Sequence, residues 1–316
     1  MRPVRIALSA ATAVAALGTL AAASVVTRSA DPPHPPPVAA TAARVGTGPE
    51  DRLTEADQLL LSRAEQLLIK ECMGGHGLPY WVEPAVDPEE LRPLGYVLDD
   101  VRWAGTHGYG SRITARDDLA RANNPNAAHQ RGLTDEERAE YTAALSGGPD
   151  TPVLSAQLPG DAGTVRSRLG GCEAEAQRRL YGPRETWFKV EKTALNLTPL
   201  YVPRLVRDER FTEARQRWAR CMGEAGHPYQ EPGSARADLP RLTAGLAPDE
   251  AFAAEVRLAV AEAECARRSG FGSVARELEE EYRAGLRDRY GGELDTYDRL
   301  RRAAVERARE VVDRSP

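Results

Sequence analysis

Cysteine, methionine and aromatic residues are scarce in this chain of 316 residues: 4 Cys, 3 Met and an aromatic share of 6%. So few aromatics, with β-branched residues that rarely alternate with polar ones, argue against a sheet protein. Ala, Arg, Glu and Leu dominate outside the Pro/Gly-rich stretches and favour helices. A basic excess is also missing. The net charge is −5, so no nucleic-acid partner is expected. His-Glu-x-x-His, Gly-x-Ser-x-Gly, a phosphate loop and a dinucleotide fingerprint are all lacking, and no catalytic residue or cofactor is predicted. No cysteine precedes Cys72, which excludes the lipid-modified cysteine of a bacterial lipoprotein. A hydrophobic content of 41% against 28% charged residues fits a globular body rather than disorder.

What is present begins at the N-terminus. Arg2 and Arg5 precede an uncharged stretch, 6–26. This is the pattern of an export signal. Ala21 and Ala23 supply small residues for cleavage before Ser24. Uncleaved, the stretch is long enough to anchor the chain in a membrane, the only membrane contact expected. We divide the chain into 1–30, signal peptide or anchor; 31–50, a Pro/Ala-rich linker around Pro32–Pro37; 51–206, a first helical unit with a long loop insertion; and 207–316, a second helical unit ending in a long helix.

The two units are suggested by one motif that occurs twice. Cys72-Met73-Gly-Gly-His76-Gly77-Leu-Pro-Tyr80 and Cys221-Met222-Gly-Glu-Ala-Gly226-His227-Pro-Tyr229 share six of nine positions without a gap. We read each as a helix end carrying a cysteine, then a sharp turn at Gly77 or Gly226 and an extended exit to the tyrosine.

In the first unit Thr54 caps a helix with Leu59, Leu60, Leu61, Ala64, Leu67, Leu68 and Cys72 on one stripe. Residues 82–132 show no sustained period and read as loop, with His107 among glycines as an exposed turn residue. Thr134 caps a helix containing Tyr141. A loop or short hairpin covers 147–163, a helix carrying Cys172 starts near Thr164, and 184–206 reads as helix interrupted at Pro199 and Pro203. In the second unit Asp208 caps a helix with Phe211, Ala214, Trp218, Cys221 and Met222 on one face. A helix from Pro248 follows through Phe252, Val256, Leu258, Val260 and Cys265 to Gly270. A last helix from Ser273 has Gly291-Gly292 as its expected break and packs on the body rather than forming a coiled coil.

In an exported chain four cysteines allow three pairings. Each unit has one cysteine in its motif and one on a later helix, so equivalent units pair Cys72 with Cys172 and Cys221 with Cys265. Copper binding by Cys, Met and His is the rival reading. His76 and His227 stand four and six residues past their cysteines, so the ligands do not repeat, and Met73 and Met222 are read as core filling.

The segments Trp218-Ala-Arg-Cys221-Met222, Leu169-Gly170-Gly171-Cys172-Glu-Ala-Glu-Ala176 and Val260-Ala-Glu-Ala-Glu-Cys265 resemble a family of uncharacterised exported proteins of high-GC Gram-positive bacteria, often lipoproteins or signal-peptide proteins. The resemblance spans most of 52–316. It implies export but no activity or catalytic residues, and this chain departs from the lipoprotein members in having no lipidation cysteine. The expectation is an all-α, disulfide-stapled, extracytoplasmic protein, secreted or held on the outer face of the membrane. It would be non-catalytic and would bind an envelope protein or wall component. The alternatives are a copper or small-ligand carrier, or an envelope hydrolase without a recognisable motif.

Overall fold

The computed structural model describes residues 53–84, 87–91 and 94–315. The expected signal at 6–26 and the linker at 31–50 lie outside them. The first helix, α1 (Glu55–Gly75), starts where Thr54 and Asp57 exchange bonds. The Asp57 N–H donates to the Thr54 hydroxyl at 3.1 Å, and the Thr54 N–H donates to Asp57 at 3.0 Å. Its stripe of Leu61, Ala64, Leu68, Ile69 and Met73 is buried.

The stretch 82–132, expected as loop, carries helices. A 3₁₀ turn spans Pro88–Leu91, followed by α2 (Val101–His107), α3 (Ser111–Ala122) and α4 (Pro125–Gly132). Local chemistry starts α2 and α4: Asp100 accepts from the Trp103 N–H at 2.9 Å, and Asn124 caps α4 with Pro125 in the first turn. Neither α3 nor α4 buries a residue, so no apolar period marks them in the sequence.

Helix α5 (Asp135–Ser146) opens on a second reciprocal cap, Thr134 with Glu137. An antiparallel hairpin follows, β1 (Val153–Gln157) and β2 (Thr164–Arg168), with Val153 opposite Arg168 and Gln157 opposite Thr164. The helix expected from Thr164 therefore begins later, as α6 (Gly171–Tyr181). The reason is visible in burial: Val165 and Ser167 face inward while Thr164, Arg166 and Arg168 are exposed, a period of two. Next come α7 (Arg184–Leu195) and α8 (Thr198–Leu205), the latter with Pro199 in its first turn and Pro203 inside.

In the second half α9 (Glu209–Glu224) is capped by Asp208 and buries Phe211, Ala214, Trp218, Cys221 and Met222, the face read from the sequence. Two short helices, α10 (Pro232–Ala237) and α11 (Leu239–Leu242), lead to α12 (Pro248–Ser269). The face of α12 is rotated from expectation. Phe252, Val256 and Val260 are half-buried, while Glu255, Leu258, Ala259, Glu262 and Cys265 are fully buried.

The expected last helix is two, α13 (Phe271–Ala284) and α14 (Arg287–Arg314). The break falls at Gly285–Leu286, not at Gly291-Gly292, which lie inside α14. Tyr290, Leu294 and Tyr297 are buried around the two glycines, and their packing offsets about 1 kcal/mol per helical glycine. Leu286 packs against two cores at once.

Those two cores exchange chain ends. One joins α1, α5, α6 and α7 with α14. Within it the Trp187 ring stacks 3.8 Å from Tyr181 and 5.4 Å from Tyr297. The other joins α8, α9, α10, α12 and α13. A smaller cluster sets Leu98, Trp103 and Ala104 on Ala259 and Ala263 of α12. Thus the C-terminal helix of the second unit closes the first, and a segment of the first unit packs on the second. The fold class is all-α, with one two-stranded hairpin.

Candidate functional site

The two motifs end their helices in the same way. In the first, the Gly77 N–H donates to the Gly74 carbonyl at 3.0 Å and the Leu78 N–H to the Met73 carbonyl at 3.0 Å. In the second, the Gly226 N–H donates to Gly223 at 3.1 Å and the His227 N–H to Met222 at 2.8 Å. This is the Schellman pattern of 5→2 and 6→1 bonds. It requires positive φ at the turn residue, and Gly77 and Gly226 have φ of 73° and 84°. Met73 and Met222 supply the accepting carbonyls and are both wholly buried, in separate cores. Tyr80 and Tyr229 are half-buried; Tyr229 donates to Asp238 at 2.7 Å.

Each motif cysteine is bonded to the later helix. Cys72 joins Cys172 between α1 and α6, with Cα atoms 5.6 Å apart, and Cys221 joins Cys265 between α9 and α12, at 5.5 Å. The surroundings differ. Cys221 and Cys265 are buried, and the Arg268 guanidinium lies 2.6 Å and 3.3 Å from their sulfurs. Cys72 is half-exposed. A ring nitrogen of exposed His76 and the sulfurs of Cys72 and Cys172 all lie within 4.8 Å of one another.

Two carboxyl groups that the sequence reading gave no role are the most deeply buried polar groups of α12. Glu255 accepts from the Tyr109 N–H at 2.7 Å, the Ser111 N–H at 3.1 Å and the Ser111 hydroxyl. Gly108 passes so close that a Cβ there would stand 2.7 Å from the Glu255 side chain. Glu262, with 0% exposure, accepts from the Leu98 N–H at 2.8 Å, the Tyr109 hydroxyl at 2.8 Å and Arg236 Nη2 at 2.5 Å. Burial, then Glu262, push the Tyr109 phenol well above its usual range. These acceptors are filled by protein donors, which suits them to hold residues 98–111 against α12. The signal was present as charge at the buried 3/4 spacing Glu255, Leu258, Glu262, Cys265. His107 is half-buried at the end of α2, 5.1 Å from the Trp103 ring, and not an exposed turn residue. Gly108 beside it serves the close approach to Glu255.

A third polar group lies in the first core. Arg184, 8% exposed, donates from Nη2 to the Ser167 hydroxyl at 3.0 Å, while its Nε and Nη1 have no hydrogen-bond partner among the described residues. It borders a cleft of about 430 Å³ with Gly170, Gly171, Arg178 and Pro183. Burial lowers its pKa, against the opposing pull of Glu191, Glu65 and Glu173. These three carboxyl groups favour the charged guanidinium. Of these, Glu65 accepts from Gln177 Nε2 at 2.9 Å, and burial pushes its carboxyl up to about 7. Glu173 is also raised, chiefly by burial, and accepts from the Ser146 hydroxyl at 2.8 Å.

The chain matches no family model, and no curated protein or solved structure matches it significantly.

Proposed function

We propose that this is an extracytoplasmic, non-catalytic binding protein of the cell envelope, whose partner is another envelope protein or a wall component. The observation that carries the reading is the pair of disulfides, each tying a motif helix to a second helix. Disulfides of this kind persist in oxidising compartments. Among the described residues no helix is long and apolar enough to cross a membrane, so in this reading any attachment runs through residues 6–26. Glu255 and Glu262 each accept from three protein donors, which fits these two groups to a structural role. The four cysteines are consumed by the same bonds, and the two motif methionines are core.

Cell fractionation with alkylation of free thiols tests this. The expected result is a processed or anchored chain outside the cytoplasm, with all four cysteines protected from alkylation. Intact, alkylatable chain in the cytoplasm overturns the reading.

A further inference from the structure

The two disulfides are chemically unlike, and the difference singles out the first. Cys221–Cys265 is buried and covered by Arg268. Cys72 is half-exposed and stands four residues before His76, one helical turn, so a ring nitrogen of His76 lies within 4.8 Å of its sulfur. The second motif has Ala225 at that step. Two sulfurs and a ring nitrogen thus lie within one small volume at the first motif, in an arrangement the second does not repeat.

We propose that the Cys72–Cys172 pair, once reduced, is a binding site for a d¹⁰ cation of the zinc type, with Cys72 Sγ, Cys172 Sγ and a ring nitrogen of His76 as its protein ligands. Zinc takes thiolate sulfur at about 2.3 Å and imidazole nitrogen at about 2.0 Å in tetrahedral geometry, which puts ligand atoms roughly 3.5 Å apart. The three ligand atoms already lie within 4.8 Å of one another, with Cys172 buried in the first core and Cys72 half-exposed at its edge. His76 is exposed and uses its backbone N–H, not its ring, to close α1, so the ring is free to rotate onto the metal. Water would complete the tetrahedral set.

Reduction requires two thiols, R–SH. A thiolate attacks the half-exposed Cys72 sulfur, the Cys72–Cys172 bond breaks, and Cys172 leaves as thiolate and takes a proton. A second thiol then attacks the mixed disulfide, giving R–S–S–R and the Cys72 thiol. Zinc displaces the two thiol protons as it binds. The oxidised chain holds no ion, because a disulfide sulfur is not the thiolate that metals take. The buried Cys221–Cys265 bond survives the same treatment and keeps α9 on α12. This inference does not depend on the proposed partner; the site forms only where a thiol reductant opens the pair, and the oxidised chain described above does not contain it.

The test uses the full chain, oxidised and after mild dithiol reduction with the reductant removed under argon. Peptide mapping should show Cys72 and Cys172 alkylated and Cys221–Cys265 intact. Titration with Co²⁺ should then give sulfur-to-cobalt charge-transfer absorption saturating at one ion per reduced chain, displaced by Zn²⁺, and none in the oxidised chain. The surface change His76→Ala should weaken Co²⁺ binding at least about tenfold with unchanged circular dichroism, and His227→Ala should leave it unchanged. Absent charge transfer at one equivalent, unchanged affinity in His76→Ala, or two ions per chain with both disulfides reduced together would each overturn the proposal.

Discussion

The Tyr109 hydroxyl donates to Glu262 at 2.8 Å across 153 residues of sequence, and the same carboxyl group receives Leu98 and Arg236. Glu262 therefore ties the segment before α3 to α12 and to α10 together. Its loss leaves an Arg236 guanidinium and the Leu98 N–H without their acceptor. We expect Glu262→Ala to cost about 3–5 kcal/mol, as for breaking one side of a buried ion pair. Glu262→Gln, which keeps one acceptor oxygen, should cost less. Urea denaturation measures both, and a Glu262→Ala cost below about 0.5 kcal/mol would show that the network adds nothing to stability.

Gly108 and Gly74 give opposite expectations. Gly108 has φ of 62°, and a Cβ would meet the Glu255 side chain. Gly108→Ala should cost about 1–3 kcal/mol through the left-handed backbone, and more through the displaced carboxyl. Amide exchange at Tyr109 and Ser111, whose N–H groups Glu255 accepts, should rise. Gly74 is inside α1 with nothing within 4 Å of a built Cβ, and Gly74→Ala should be neutral or stabilising by up to about 1 kcal/mol. The same sign for both would contradict the geometry.

Each disulfide closes a long loop, with sequence separations of 100 and 44. Chain entropy assigns on the order of 4 kcal/mol to either. Removing Cys265 should cost about 2–5 kcal/mol and leave Cys221 as a thiol detectable by alkylation. Fully oxidised protein should take up no copper tightly. Stoichiometric copper lost on changing Met73 or Met222 would count against the burial of those side chains as their role.

How much of this was readable depended on how local the causes were. Thr54, Thr134 and Asp208 cap their helices through atoms two or three residues away, so the sequence alone located those starts. The Schellman turns at Gly77 and Gly226 and the cysteine pairing rest on the shared motif and were equally legible. Glu255 and Glu262 were not, because their donors come from residues 98–111 and from Arg236. In the sequence they look like further charges in an Arg/Glu-rich helix. The break at Leu286 escaped for a similar reason: it is fixed by where two cores meet and not by the weaker helix propensity of Gly291-Gly292. Of the helices of 101–132, α2 and α4 carry side-chain caps, but there is almost no apolar stripe, and periodicity cannot find a helix that buries little.

Glu65 should make stability depend on pH in a direction that a surface carboxylate would not. It is half-buried on α1, facing Gln177 and Glu173 of α6 and Arg184 and Glu191 of α7. Burial raises its carboxyl from 4.5 to about 7, and Glu191 and Glu173 push the same way. The Gln177 hydrogen bond and the Arg184 charge pull back. The folded chain thus holds this proton more tightly than the unfolded chain does. The resulting stabilisation is complete below about pH 4.5, falls as pH rises toward about 7, and is gone above that. At about 1.36 kcal/mol per pH unit the span is on the order of 3 kcal/mol. Glu173, also raised by burial, adds a change of the same sign. Glu65→Gln cannot ionise and keeps a partner for Gln177. It should match the wild type near pH 5, exceed its stability at pH 8 by about 1–3 kcal/mol, and flatten the slope between them. Urea midpoints from about pH 5 to 8 measure this, and an unchanged slope in the variant would place the titrating proton elsewhere.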